Sequence, residues 1–429
     1  MKFSVRELTP GVRLHLCETS KFKSLTCKVF VQQDLKAQDA TSTALLPLLL
    51  RRGSQQFPST LHIARELEDL YSAEFGADIL KIGERQILEF YLQMVDPSLL
   101  PQGERLLERG LRAFWEVFTN PRGPGDRFLD SYFEQEKLTL AQDIKGLVNE
   151  KASYAITRLV ALMCADEPFG IYKYGDLEDL KHLQNKDVYT HFQKLLQEHP
   201  IDIFCVGPNL TVVAQLLSSL IPTRSSSLQL AKAQERKVTE ARHFEEEMDL
   251  NQAVLVLGYR TNCTYLDDDY YALLVGNGIL GGFAHSKLFL NVREKASLAY
   301  SVGSSIEGSK GLLTITAGIS ADQQGQALQI IEEQVEALRS GQISREELEQ
   351  TKRGIASAMT TINDSPAGVI DRNLIGLVEG ELRTIDQVVE AIWNVQYADC
   401  VRAMQRIELD TTYILRKGKD QEGADDGRN

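Results

Sequence analysis

The sequence predicts an α/β protein, more narrowly α+β, with two duplicated domains that each pack helices against a mostly antiparallel sheet. The length of 429 residues exceeds one ordinary domain, and 43% hydrophobic residues supply apolar material for two cores. Hairpin-like strand patterns alternate with long amphipathic helical patterns. The same order of elements occurs twice, about 220 residues apart, which indicates a duplication.

In the first half, β-branched and aromatic residues predict strands at 12–17 and 26–32, which we expect to pair as a hairpin. A second hairpin is expected at 76–82 and 87–95. Amphipathic patterns predict helices at 41–52, 58–71, 101–119, 127–164 with a break near Lys151, 177–197 and 208–220. A short apolar run at 201–206 predicts a buried strand.

A polar segment divides the chain. Pro222 is followed by serines and then by Lys, Glu, Gln and Arg without apolar periodicity, which is typical of a solvated linker. We therefore predict a first domain at 1–221, a linker at 222–242, a second domain at 243–417 and a polar tail at 418–429.

The second half repeats the order of the first. It predicts a strand at 253–259, helices at 267–279 and 285–294, a hairpin at 299–306 and 312–317, long helices at 323–339 and 345–361, and a final strand at 412–415. Residues 276–281 match GxGxxG, but the dinucleotide-binding fingerprint follows a strand, whereas a helical pattern precedes these glycines. A glycine turn between two packed helices is favoured.

Charge and composition exclude several classes of function. A net charge of −13 lacks the basic surface that nucleic acids require. The first residues carry charges and a proline where a signal peptide has an apolar core, and no run of about 18 apolar residues follows, so we expect a cytoplasmic protein without a membrane span. Six cysteines without a CxxC pair are expected to be reduced core thiols.

The histidines indicate no metal site. None of the seven belongs to an HExxH or HxxEH motif, and GxSxG and P-loop sequences are also absent. His62 with Glu66 and His243 with Glu245 are the close clusters, and solvated surface charge explains both best.

Residues 281–302, GGFAHSKLFLNVREKASLAYSV, carry a more specific signal. They resemble the second-domain signature of the pitrilysin/insulinase family of zinc metallopeptidases, the inverzincins, which includes mitochondrial processing peptidase. The resemblance implies that Arg293 and Tyr300 hold the backbone of a bound peptide. The alternative is a charge at a helix end and an aromatic residue on a strand, with no binding role.

The zinc motif of that family is degenerate in this chain. Where active members have His-x-x-Glu-His, the sequence has Ala44 and Leu48 in place of the two histidine ligands and Pro47 in place of the general base. Asp143 falls on the helix that supplies the third ligand, and is shorter by one methylene. Because catalytic zinc sites use three protein ligands, we expect neither a metal nor a catalytic residue here.

The resemblance therefore implies a non-catalytic subunit. Such a chain would pair with an active zinc-peptidase paralogue, or with a second copy of itself, around a peptide chamber, with zinc only in the active partner. It is most similar to the inactive member of bacterial processing-protease-like pairs, some associated with aminopentanol modification of elongation factor P. The alternatives are an active metalloendopeptidase using His62, Glu66 and Asp143, and a stand-alone peptide-binding or structural protein.

Overall fold

The computed structural model describes residues 1–231, 238 and 240–418. The strands are β1 (Ser4–Thr9), β2 (Val12–Glu18), β3 (Ser24–Asp34), β4 (Glu74–Ile82), β5 (Arg85–Val95), β6 (Ile201–Gly207), β7 (Arg242–Glu247), β8 (Ala253–Arg260), β9 (Ala299–Glu307), β10 (Leu312–Ile319) and β11 (Glu408–Arg416).

The helices of the first half are α1 (Ala37–Leu50), α2 (Thr60–Asp69), α3 (Gly103–Thr119), α4 (Asp130–Gly146), α5 (Lys151–Met163), α6 (Leu177–His182), α7 (Asn185–Glu198) and α8 (Leu210–Leu220). Those of the second half are α9 (Tyr270–Asn277), α10 (Gln324–Arg339), α11 (Arg345–Ile362), α12 (Pro366–Glu379), α13 (Ile385–Asn394) and α14 (Tyr397–Gln405). The predicted break near Lys151 is confirmed, since α4 ends at Gly146 and α5 begins at Lys151.

The chain forms two compact units that are not contiguous in sequence. The first comprises Met1–Lys145, Ile171–Lys232 and Asn363–Val378, and the second comprises Gly146–Gly170, Ala233–Ile362 and Glu379–Asn429. The contiguous segments predicted from the sequence, 1–221 and 243–417, differ from these units because α5 and α12 each belong to the unit of the other half. An amphipathic pattern shows that a helix has an apolar face but not which sheet that face covers.

The first unit contains a six-stranded mixed sheet in the order β1-β2-β6-β3-β5-β4. The β4–β5 hairpin is confirmed, but the hairpin expected from 12–17 and 26–32 is wrong, because β6 lies between β2 and β3. β2 forms its hairpin with β1 instead. All seven residues of β6 are buried, so its apolar side chains on both faces favour a central position.

Helices cover both faces of this sheet. On one, here called the α1 face, side chains such as Val29, Phe90 and Leu45 form the main core with α1, α3 and α7. On the other, here called the α12 face, Phe30 and Phe204 pack against one helix, α12. These alternating sides follow from the two-residue period of β3 and β5.

The second unit repeats the topology of the first. Its sheet has the order β7-β11-β8-β10-β9, which matches β2-β6-β3-β5-β4 strand for strand and has one parallel pair at the equivalent place. One face packs against helices that include α9, α10 and α14. The other packs against α5, through residues such as Leu159 and Met163. The predicted duplication of a mostly antiparallel sheet packed with helices is confirmed.

The structure also bears on the predicted linker, the predicted glycine turn and the expectation about membrane-spanning helices. Residues 222–231, the described first part of the expected linker, contain neither helix nor strand, while 232–237, 239 and the tail beyond Gly418 lie outside the described residues. Of the glycines at 276–281, Gly276 lies inside α9, and Gly278 and Gly281 lie in the π-helical turn Gly278–Gly282 that follows it, so a helix and not a strand precedes them. Within the part of the chain described here, no helix is long and apolar enough to cross a membrane.

Candidate functional site

A cleft of about 720 Å³ runs along β4 at one edge of the first sheet. One wall comes from α1 and α4 on the α1 face. The other comes from β3, β5 and the start of α12 on the α12 face. Because residues from both faces line it, the cleft follows the edge of β4 rather than lying on one side of the sheet.

The degenerate zinc motif lies in this cleft. Ala44, Pro47 and Leu48 line one wall because their spacing places them on the same side of α1, and Asp143 of α4 lines it beside them. The structure thus brings together the four residues that the sequence comparison selected. Ala44 and Pro47 are buried, Leu48 is half-buried and Asp143 is exposed.

These residues do not fit a zinc ion. Asp143 is the one member of the four with a side-chain donor atom, and a zinc site needs at least three protein ligands. Nor do any three His, Cys, Asp or Glu side chains among the described residues form a group that could hold a metal. No catalytic step through a metal can be derived from this cleft.

Pro47 lies inside α1, three residues before the helix ends at Leu50. A proline has no N–H, so it cannot donate to the carbonyl of Thr43 one turn earlier. The Thr43 side chain takes part in a buried polar network: Gln33 Nε2 donates to Thr43 Oγ1 at 2.7 Å, and a second 2.7 Å hydrogen bond joins Thr43 Oγ1 to His191 Nε2. Burial disfavours the imidazolium and lowers the pKa of His191 to about 4.

The residues of the alternative metal site make other contacts. Both carboxylate oxygens of Glu66 accept hydrogen bonds from Arg109 at 2.7 Å, and Ser59 Oγ bonds His62 Nδ1 at 2.8 Å. His243 and Glu245 form an exposed pair on β7, 3.3 Å apart. His62, His243 and Glu245 are exposed, whereas Glu66 is half-buried in its ion pair with Arg109.

A buried charge cluster on the α12 face of the cleft was not anticipated from the sequence. Lys28 Nζ lies 2.6 Å from Glu89 Oε1 and 2.7 Å from Asp371 Oδ1. Lys28 and Glu89 are each 7% exposed. Burial lowers the pKa of Lys28, but its hydrogen bonds to Asp371 and Glu89 outweigh burial and raise it overall. Burial raises the pKa of Glu89, partly offset by Lys28. A lysine within the apolar run of β3 was the available signal.

The β4 side of the cleft combines carboxylates with an aromatic ring. Glu74, Gly76 and Asp78 alternate along β4 on the α12 face, and Gly76 pairs with Tyr91 of β5. A Cβ atom at Gly76 would lie 2.1 Å from the Tyr91 ring, so the ring fills the place that a side chain there would take. Tyr91 therefore lies between two exposed acidic residues.

Arg293 and Tyr300 both lie at the surface of the second unit. Arg293 is on the π-helical turn Phe289–Lys295, where its guanidinium stacks 4.7 Å from the Phe289 ring, and its side chain is 42% exposed. Tyr300 is on β9, where the pairing with β10 shifts register between Gly318 and Ile319. Such a bulge redirects a side chain, which agrees with the 78% exposure of Tyr300.

Comparison with known proteins agrees with the fold. The family model "Peptidase M16 inactive domain" matches residues 182–355. The chain belongs to the M16 (pitrilysin/insulinase) peptidase family, as a member without the zinc motif. A relative spanning nearly the whole length is the probable inactive metalloprotease YmfF of Bacillus subtilis, 35% identical over 417 residues, which are 96% of this chain and 97% of YmfF.

Solved structures share the whole fold. A conserved protein from Enterococcus faecalis superposes with a TM-score of 0.91 at 27% identity, covering 97% of this chain and 99% of that one. A peptidase M16 inactive domain from Pseudomonas fluorescens superposes with a TM-score of 0.78 at 18% identity, with the same coverage. The second likeness concerns the fold alone.

Proposed function

We propose that this chain is the non-catalytic, peptide-binding subunit of an assembly with an active zinc-peptidase paralogue. The observation that carries the proposal is the cleft itself, in which the edge of β4 lies beside a helix whose ligand positions hold Ala44 and Leu48. A peptide site is thus kept where the catalytic groups are missing. In this assembly the zinc belongs to the partner, and we expect the complex in the cytoplasm.

The backbone of β4 supports peptide binding by strand addition. Ile79 N–H donates to Asp78 Oδ1 at 2.7 Å, and Ile79 O accepts from Lys173 Nζ at 2.8 Å, so both backbone groups of Ile79 point away from β5. Because this direction alternates along a strand, the backbone groups of Phe75 and Ala77 point into the cleft. An extended peptide could pair with them as a further strand.

The two walls favour different side chains on such a peptide. An added strand would direct alternate side chains to opposite faces of the sheet. On the α1 face, these would meet the largely apolar wall that contains Leu48 and Leu140. On the α12 face, they would meet Tyr91 between Glu74 and Asp78, where a lysine or arginine gains both a cation–π contact and opposite charges.

The exposed pair in the second unit supports the same function. A guanidinium and a phenol are hydrogen-bond donors suited to peptide carbonyls, and the bulge at Tyr300 leaves its hydroxyl accessible. We assign Arg293 and Tyr300 to holding a substrate that the partner cleaves. A stand-alone protein that binds peptide without cleaving it is the second candidate, because the cleft does not itself require a partner.

The test is to mix the chain with a sibling that has an intact His-x-x-Glu-His motif and to measure both assembly and peptide cleavage. We expect a mixed complex on size-exclusion chromatography. Arg293→Ala should slow cleavage about tenfold or more and Tyr300→Phe about twofold to tenfold, both without preventing assembly, since a hydrogen bond to a charged group contributes about 1.5–3 kcal/mol and a neutral one about 0.5–1.5 kcal/mol. Arg112→Ala and Tyr71→Phe change exposed residues of the same types in the first unit and serve as controls.

A second measurement tests the cleft without the partner. Ala77→Pro removes an N–H that points into the cleft but no hydrogen bond to β5. It should weaken binding of a fluorescent extended peptide while leaving the urea unfolding midpoint near that of the wild type. In the first test, cleavage at the wild-type rate by mixed complexes that contain the Arg293 or the Tyr300 variant would refute the substrate-holding role of those residues. Unchanged peptide affinity in the Ala77 variant would refute strand addition.

A further inference from the structure

Two cysteines face each other at the centre of the first sheet. Cys27 on β3 and Cys205 on β6 are direct partners in the antiparallel pairing, and Cys27 Sγ–H donates to Cys205 Sγ at 3.1 Å. Both side chains point to the α1 face, and both residues are fully buried. Both are free thiols in this structure, as are the other four cysteines.

The hydrogen bonds of the sheet define which kind of pair they form. Gln32 N–H donates to Pro200 O at 3.0 Å, so these two residues, one step beyond Val31 and Ile201, form a hydrogen-bonded pair. Hydrogen-bonded and non-hydrogen-bonded pairs alternate along an antiparallel ladder. Cys27 is five positions from Gln32, so Cys27 and Cys205 form a non-hydrogen-bonded pair.

That kind of pair fits a disulfide bond. Non-hydrogen-bonded partners have Cα atoms about 4.5 Å apart, with their side chains closer than in the other kind of pair. Disulfides span Cα separations of about 4.4–6.8 Å. The backbone of β3 and β6 can therefore accept the bond with little movement.

We propose that Cys27 and Cys205 form an oxidisable dithiol that closes to a cross-strand disulfide by exchange with a small-molecule disulfide such as oxidised glutathione. One cysteine, as the thiolate, attacks the reagent, releases one reduced thiol and leaves a mixed disulfide. The second cysteine then displaces the other reagent thiol. Two protein thiols and one disulfide reagent thus become one protein disulfide and two reagent thiols, and two electrons pass to the reagent.

Burial controls when this exchange can occur. Neither thiol is accessible in the folded sheet, and burial also raises the pKa of Cys205 well above its ordinary value, which disfavours the reactive thiolate. Oxidation should therefore be fast while the chain folds and slow once β6 has inserted between β2 and β3. The bond would join positions 178 residues apart, and closing so long a loop restricts the unfolded chain strongly.

The test is to refold the reduced full-length chain with oxidised glutathione, block the remaining thiols and determine the mass and the linked peptides. We expect a loss of two hydrogens, one linked peptide pair containing Cys27 and Cys205, and a Tm more than about 5 °C above that of the reduced chain. The folded reduced chain, treated in the same way, should form the bond at least about tenfold more slowly.

Variants distinguish this pair from the other cysteines. Cys164→Ala leaves both partners in place and should oxidise like the wild type, whereas Cys27→Ala and Cys205→Ala should not form the linked peptide. If the alanine variants fail to fold, peptide mapping of the wild type alone still shows whether Cys27 and Cys205 are linked. A refolded chain without the Cys27–Cys205 link, or with a different pairing, would overturn the proposal. This result is independent of whether the chain binds a peptidase.

Discussion

Removing the ammonium of Lys28 should destabilise the first unit strongly. Lys28 and Glu89 are each 7% exposed and their charged atoms lie 2.6 Å apart, so Lys28→Met leaves a buried carboxylate without its partner. Breaking a buried pair from one side costs about 3–5 kcal/mol. Replacing both residues with apolar ones, in Lys28→Met with Glu89→Leu, removes the unpaired charge, and we expect stability within about 1 kcal/mol of the wild type or above it.

Asp371 supplies the matched control. Its side chain is 48% exposed, so it stays solvated when the pair is broken, and Asp371→Asn should cost about 1 kcal/mol or less. The measurement is equilibrium unfolding in urea for the wild type, both single variants and the double variant. The Lys28→Met deficit should also grow between pH 5 and pH 8. With the pKa of Glu89 raised in the folded variant, protonation preserves stability at low pH, and that stability is lost as the pH rises.

The result that would refute this reasoning is a Lys28→Met cost under about 1 kcal/mol, or a double variant no more stable than the single one. The first would mean that water reaches Glu89 freely. The second would mean that the cost comes from packing around the lysine stem rather than from the charge.

Three further predictions concern α1 and its surroundings. Metal analysis after dialysis against trace zinc should find no stoichiometric zinc in the unmodified chain, and one tightly held zinc would contradict this. The triple variant Ala44→His, Pro47→Glu and Leu48→His should bind zinc weakly but measurably. Pro47→Ala should raise the free energy of unfolding by about 1–3 kcal/mol by restoring an N–H inside α1, and an unchanged urea midpoint would show that the turn is already satisfied. Because burial lowers the pKa of His191 in the folded chain to about 4, below its ordinary value of about 6.5, stability should fall by up to about 3 kcal/mol from pH 6.5 to pH 4, and His191→Gln should flatten that slope.

The sequence predicts where strands and helices lie better than it predicts which strands are neighbours in a sheet. The alternation on either side of Gly83 places β4 and β5 correctly, because a tight hairpin is a local structure. The apolar run at β6 predicts a buried strand but does not indicate which strands flank it. Its insertion between β2 and β3 is therefore visible only in the fold.

The sequence likewise predicted only one wall of the candidate site. Ala44, Pro47, Leu48 and Asp143 were located by comparison with a family motif, and the structure brings them to one wall of one cleft. The opposite wall has no sequence motif. Lys28 and Asp371 are more than 300 positions apart, and they meet only because α12 crosses to the first sheet.

The crossing of α5 and α12 has a consequence for how this chain can be divided and how it could have arisen. A polypeptide ending at residue 221 would lack the helix that covers Phe30 and Phe204, and would carry α5 with no sheet to cover. Neither half of the gene therefore encodes a self-sufficient body. Two ancestral half-length chains could have formed an obligate pair in which each chain contributed one helix to cover the sheet of the other. Joining their genes end to end would then have fixed within one molecule a partnership that began between two.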